Sequence, residues 1–223
     1  MNYKKIKPKL VSFKLCPFVQ RSIIALNEKN IEYDITYIDL SDPPEWFLEL
    51  SPLGQVPIMQ IEDTVIFESS VINEYLDEVY KPQLHPSDPL RKAHNRAWME
   101  FSSVLYTYIF NFSTIINKKR FQNSIEELEE KIDLLEMQLN EDSKFINGND
   151  LSLVDISFAP FFMRANLLSK QFGIDFFENN SKIKLYSENL LTRNSVIKSV
   201  VPEFNDIFLK FVENRKGYIT KLS

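Results

Sequence analysis

From residue 9 to about residue 79, hydrophobic and polar positions alternate between a strand period and a helix period. Leu10-Val11-Ser12-Phe13-Lys14-Leu15 reads as a short buried strand. Cys16-Pro17-Phe18-Val19 then leads into a helix whose apolar positions Val19, Ile23 and Leu26 fall at i, i+4 and i+7. Tyr33 to Leu40 forms a second strand, with Ile35, Tyr37 and Asp39 on one face and Thr36, Ile38 and Leu40 on the other. Pro43-Pro44-Glu45-Trp46-Phe47 starts a short helical turn, proline being suited to a first helical position. Val56 to Ile61 is a third strand, Glu62-Asp63 a tight turn and Thr64 to Phe67 its hairpin partner. A helix follows with Val71, Ile72, Tyr75, Leu76 and Val79 on one side. The order β-α-β-α-β-β-α predicts a mixed sheet with helices on its faces.

Beyond this the texture changes. Tyr80 to Pro89 carries Pro82, Pro86 and Pro89 without periodicity and reads as a linker. A helix is expected from about Leu90 to Ser113, rich in aromatics. The next carries Ile125, Leu128, Ile132, Leu135 and Leu139, with a solvated acidic face at Glu126, Glu127, Glu129 and Glu130. Ser152-Leu153-Val154-Asp155 forms a capping box with Asp for Glu, flanked by Leu151 and Ile156 as a hydrophobic staple. These patterns divide the chain into residues 1–79, a linker at 80–89 and an all-helical part at 90–223.

Composition narrows the class. The 223 residues are 44% hydrophobic and 26% charged, as expected of a soluble globular protein with an ample core. The formal net charge of −5 argues against nucleic acid as a partner. Lys4, Lys5, Lys7 and Lys9 make a basic start, yet no apolar stretch follows that could act as a signal peptide. No apolar run approaches the roughly 20 residues of a membrane helix, so no membrane partner is expected. One cysteine without a secretion signal fits the reducing cytoplasm. His85 and His94 match no metal-ligand spacing, and no metal is expected.

The single cysteine, Cys16, sits where the first strand gives way to the first helix. There its sulfur would meet the unpaired N–H groups and positive end of the helix dipole, which favour a thiolate. A buried, inert cysteine is the other reading of such a residue. Val19 stands where a Cys-x-x-Cys pair would carry its second thiol, so the redox product would be a mixed disulfide with an outside thiol. Two further segments join Cys16. In Ser51-Pro52-Leu53-Gly54-Gln55-Val56-Pro57, a cis Val56–Pro57 bond would turn the Val56 backbone towards the cysteine and offer a peptide two strand-like hydrogen bonds. Glu68-Ser69, at a helix start, would suit an ammonium and a carboxylate side by side, or would serve only to cap the helix.

Together these segments resemble the glutathione transferase superfamily over nearly the whole chain. The Cys16-Pro17-Phe18 start, Pro44-Glu45-Trp46-Phe47, and Glu68-Ser69 with Glu74-Tyr75-Leu76-Asp77-Glu78 are most similar to the omega class and the dehydroascorbate reductases close to it. The resemblance implies a thioredoxin-like α/β N-terminal domain followed by an all-α C-terminal bundle. It implies a glutathione-dependent thiol transferase or dehydroascorbate reductase, with Cys16 as the catalytic nucleophile and glutathione as co-substrate. Phe18 would flank the cysteine, and Val56, before Pro57, would pair with the cysteinyl backbone of glutathione. Gln55 would contact it, and Glu68 with Ser69 would hold its γ-glutamyl end. A small-molecule or glutathionylated second substrate and a homodimer are also implied. Pro43 departs from the pattern, because omega enzymes carry a lysine there for the glycyl carboxylate. Tyr106, Phe112 and Phe208 are candidates for a second-substrate wall, with bundle core as the competing reading. The alternative function is a non-catalytic, protein-binding module like bacterial starvation-response proteins, which lack the Cys-Pro-Phe segment. Membrane-inserting, chloride-channel-like relatives find no apolar segment to support them.

Overall fold

The computed structural model describes residues 7–222, so Lys4 and Lys5 of the basic start lie outside the described residues. Four strands, β1 (Lys9–Ser12), β2 (Asp34–Tyr37), β3 (Ile58–Ile61) and β4 (Thr64–Phe67), form one sheet in the order β2-β1-β3-β4. β1 runs parallel to β2 and antiparallel to β3, and β3–β4 is an antiparallel hairpin. The strand period sends successive side chains to opposite faces. Leu10 therefore joins the main core with α1 (Pro17–Glu28) and α3 (Ser69–Val79), whereas Val11 packs with Ile58 and with Phe47 of α2 (Glu45–Leu50).

The remaining chain is helical: α4 (Pro89–Thr114), α5 (Lys118–Glu136), α6 (Leu153–Phe172), α7 (Ser181–Leu191), α8 (Asn194–Ile197), α9 (Phe204–Arg215) and a closing 3-10 turn, Tyr218–Lys221. α6 is apolar almost all round and packs against both α4 and α1, joining the helical part to the sheet part. Its start is fixed by the expected capping box. Asp155 accepts from the Ser152 backbone N–H at 2.8 Å, and also from Ile146 N–H at 3.0 Å and Tyr186 O–H at 2.9 Å. Leu151 and Ile156 are buried as the staple requires.

The segment between α3 and α4 winds around a buried ion pair. Lys29 Nζ meets Asp77 Oδ1 at 2.8 Å and also donates to the carbonyls of Tyr80 and Pro82. Asp77 in turn accepts from the N–H groups of Leu84 and His85. Lys81–Pro82 within this segment is cis.

Several local expectations shift. β1 ends at Ser12 rather than Leu15, because the chain turns and the Cys16 N–H bonds back to the Phe13 carbonyl at 3.0 Å. On α3, Val71 faces solvent, while Asn73 and Asp77 turn inward with Ile72 and Leu76. α5 starts at Lys118, well before Ile125, because the Asn117 side chain accepts from the Arg120 N–H at 3.0 Å and caps a longer helix. Tyr106, Phe112 and Phe208 are buried, so they build bundle core rather than an exposed wall. Phe112 stacks on Phe176 with centroids 5.2 Å apart, and Phe208 stacks on Phe204 at 5.8 Å.

Candidate active site

Cys16 is the N-cap of α1, with extended backbone (φ −73°, ψ 117°), and Pro17 begins the helix. Its carbonyl accepts from the Gln20 N–H at 3.1 Å. Cys16 as a whole is half-buried, and its sulfur lies 3.8 Å from the Val56 carbonyl oxygen. The Val56–Pro57 bond is cis, as the segment suggested. The approach to it is shaped by Gly54, whose φ of +62° suits a residue without a side chain, and by Ser51. The Ser51 hydroxyl accepts from the Gln55 N–H and donates to the Gln55 carbonyl, both at 3.0 Å.

After β4, Glu68 adopts φ 66° and ψ 114°, a conformation that costs a non-glycine residue about 1–3 kcal/mol. The bend puts its carboxylate on the surface, where it makes no hydrogen bond or ion pair with the described residues. Ser69 follows as the first residue of α3 and is buried. Phe18, Gln55, Val56, Pro57, Glu68 and Ser69 line one cavity of about 100 Å³, with Ser51, Pro52, Leu53 and Phe67 completing the wall. All the expected contact residues thus converge. Cys16 is not itself in that lining; its sulfur adjoins it through Val56.

Two buried arginines flank the sulfur, and neither stood out in the sequence. Arg21, on α1 one turn beyond Phe18, donates from Nε to Ser69 Oγ at 2.8 Å. Arg164, on α6, donates to Gln20 Oε1 at 2.6 Å, to the Pro160 carbonyl at 2.7 Å and to the Leu15 carbonyl at 3.0 Å. It thereby holds the turn just before Cys16 from the helical part of the chain. Phe204 and Phe208 cover its guanidinium at 5.0 and 5.9 Å. Burial pulls Arg164 down to about 10, while the nearby Tyr106 and Cys16 act in the opposite sense. The only sequence signal for either residue was an arginine inside an otherwise apolar helix stretch.

The thiol's acidity differs from the sequence expectation. Burial pushes the Cys16 thiol above its ordinary value. The N–H groups of Val19 and Phe18, then the charges of Arg164 and Arg21, pull it down without overcoming that loss of hydration. The helix terminus acts in the expected direction, but desolvation is larger. At Pro43 the half-exposed ring offers no cation, and Lys14, two residues before Cys16, is tied to Glu203 at 2.9 Å.

Residues 15–79 match the family model "Glutathione S-transferase, N-terminal domain", and residues 118–189 match "Glutathione S-transferase, C-terminal domain". Glutathione S-transferase omega-1 of Rattus norvegicus is 34% identical over 80% of this chain and 74% of its own. The chain belongs to the glutathione S-transferase family. Within that family, glutathione S-transferase DHAR3, chloroplastic, of Arabidopsis thaliana is 29% identical over 81% of this chain and 67% of its own. Glutathione transferase Omega 3C from Trametes versicolor superimposes with a TM-score of 0.78 at 26% identity, covering 86% of this chain and 88% of that one. The omega-like pattern around Cys16, Glu68 and Ser69 is therefore carried by a transferase fold whose relatives include omega enzymes.

Proposed function

We propose that this glutathione transferase is an omega-like thiol transferase or dehydroascorbate reductase, with Cys16 as its nucleophile and glutathione as its second thiol. The observation that carries the reading is the Cys16 sulfur 3.8 Å from the Val56 carbonyl, against a cavity lined by Phe18, Gln55, Glu68 and Ser69. Glutathione would lie with its cysteinyl backbone along Val56, its γ-glutamyl ammonium at Glu68 and its γ-glutamyl carboxylate at Ser69. The Cys16 thiolate attacks the glutathione sulfur of a mixed disulfide R–S–S–G, and the R–S⁻ group leaves and takes a proton from water. A second glutathione thiolate attacks the sulfur of the glutathione bound to Cys16, releasing oxidised glutathione and regenerating the Cys16 thiolate. With dehydroascorbate the Cys16 thiolate would instead add to a carbonyl carbon; a first glutathione thiolate would then attack the Cys16 sulfur, breaking the C–S bond so that ascorbate leaves with the electron pair and takes up a proton from water, and the resulting Cys16–glutathione disulfide would be resolved by a second glutathione as above. The names of the omega and DHAR relatives support this chemistry.

Cys16→Ser should abolish reduction of a glutathionylated peptide and of dehydroascorbate, since exchange needs sulfur. Conjugation of chlorodinitrobenzene should persist or rise, because a serine hydroxyl can still hydrogen-bond a bound thiolate. Mass spectrometry after treatment with oxidised glutathione should show one glutathione on the wild type and none on the mutant. An unmodified wild type with no glutathione affinity would instead favour the non-catalytic, protein-binding alternative. Because burial raises the thiol, alkylation of the free protein by iodoacetamide should still be accelerating above about pH 8.5, the free-thiol value. A plateau already reached at neutral pH would contradict that account.

We assign the working form to a homodimer, supported by the exposed apolar side chains of Leu53 and Phe67 at the cavity wall. Light scattering at the mass of one chain would remove that assignment. Among the described residues no helix is long and apolar enough to cross a membrane. We assign the protein to the cytosol, where a lone thiol stays reduced, and cell fractionation tests this.

A further inference from the structure

Between α6 and the stretch that leads from α7 through α8 to the start of α9 runs an open groove of about 650 Å³. It shares no residue with the cavity beside Cys16. Met163 and Leu167, at i and i+4 on α6, present one apolar stripe to it, and Lys170 continues that stripe at i+7. Leu191, Ile197, Val200 and Val201 supply the rest of its apolar surface. Ile197 stays 53% exposed in this setting, so the groove is uncovered.

The charge of the groove runs against that of the whole protein. The chain carries a net −5, yet no Asp or Glu lines the groove, whereas Lys170 and Lys198 do. Neither lysine makes a hydrogen bond or ion pair with a described residue. Neighbouring cations are committed: Lys184 pairs with Asp175 at 2.9 Å and Arg193 with Glu28 at 2.8 Å. An apolar surface edged by two uncommitted ammonium groups complements a molecule with an apolar body and an anionic end. Its size favours a small molecule. Small-ligand pockets run to about 300–1,000 Å³, whereas a stable protein partner engages about 20–30 residues a side, more than the twelve that line this groove. We propose that the groove binds a monomeric long-chain carboxylate, with the alkyl body along Met163, Leu167, Ile197 and Val200 and the headgroup held by Lys170 and Lys198. Binding there needs neither glutathione nor the Cys16 thiol.

Two lining residues also brace the turn at Cys16, because Met163 Sδ accepts from Gln20 Nε2 at 3.2 Å and Phe204 covers Arg164. The test therefore leaves both unchanged. Calorimetric titration uses sodium decanoate below its micellar concentration, with decanol as the uncharged control. Wild type should bind one decanoate per chain and prefer it to decanol by about tenfold, the scale of a hydrogen bond to a charged group. Lys170→Glu with Lys198→Glu should erase that preference. Ile197→Asp should weaken decanoate by about tenfold or more, since apolar burial is lost and a like charge is gained. All three positions are exposed; should Ile197→Asp still misfold, the lysine pair decides the matter. Undiminished binding in the folded variants, equal affinity for decanoate and decanol, or displacement of decanoate by S-hexylglutathione would overturn the proposal. So would a wild type that binds no decanoate. Lysine-dependent sedimentation on phosphatidylserine vesicles would then reassign the groove to a membrane surface, and a halved mass for Ile197→Asp in light scattering would reassign it to a contact between copies of this chain.

Discussion

The ion pair of Lys29 and Asp77 should be among the costliest places to perturb in the molecule. Both side chains are almost wholly inaccessible, at 0% and 2% exposure, and they meet at 2.8 Å. Lys29 Nζ also holds the carbonyls of Tyr80 and Pro82, at 2.9 and 2.6 Å. Asp77 holds the N–H groups of Leu84 and His85, at 2.6 and 3.2 Å. Asp77→Ala leaves a buried ammonium with carbonyl partners only, and strips two backbone donors of their acceptor. Removing one member of such a pair costs about 3–5 kcal/mol, against a total stability of about 5–15 kcal/mol. Replacing both charges, as in Lys29→Met with Asp77→Leu, removes the unpaired charge and should recover much of that loss. Urea unfolding, followed by tryptophan fluorescence and circular dichroism, gives the four corners of the double-mutant cycle. A cost below about 1 kcal/mol for Asp77→Ala, or a double variant no more stable than the single, would refute the reasoning.

Glu68→Ala should lower S-hexylglutathione affinity by about 1.5–3 kcal/mol in a folded protein, the scale of a hydrogen bond to a charged group, read by calorimetry. Unchanged affinity would remove Glu68 from the site. At Glu74, burial acts to raise the carboxyl, but the hydrogen bonds from Arg96 and His85 outweigh it and hold the group at about 2. A depressed carboxyl contributes stability above its unfolded value near 4.3 that is lost as pH falls towards about 2. Discounted for partial exposure, that contribution is roughly 1–2 kcal/mol, so Glu74→Gln should flatten the acid limb of the stability profile over this range. An unaltered acid limb would count against it. Gly217→Ala should destabilise by about 1–3 kcal/mol, as overpacking does. The added methyl would fall 2.4 Å from the Ser113 carbonyl oxygen on α4, where the closing turn docks. A thermal midpoint within a degree of wild type would show that this contact can yield.

Short-range patterns were sufficient for much of the architecture. The alternation of strand and helix, the Cys16-Pro17 start and the Ser152–Asp155 cap depend on neighbours a few residues away, and all are found in the structure. Phe18, Gln55, Val56, Pro57, Glu68 and Ser69 come from three segments singled out by the resemblance to glutathione transferases, and the fold brings them to one cavity. What the sequence could not determine is how each group is hydrated and which charges face it. The Leu15 carbonyl and Gln20 are held by Arg164, which lies nearly 150 residues away in sequence from Leu15. Val71, expected on the buried side of α3, faces solvent, because the buried face of this helix, which packs against α1, carries Ile72, Asn73 and Leu76 instead. The cysteine illustrates the division most clearly. Its place at a helix terminus, which favours the thiolate, follows from local sequence. The direction of its acidity is set by burial among residues from distant parts of the chain, and loss of hydration there exceeds the pull of the helix end and of two arginines.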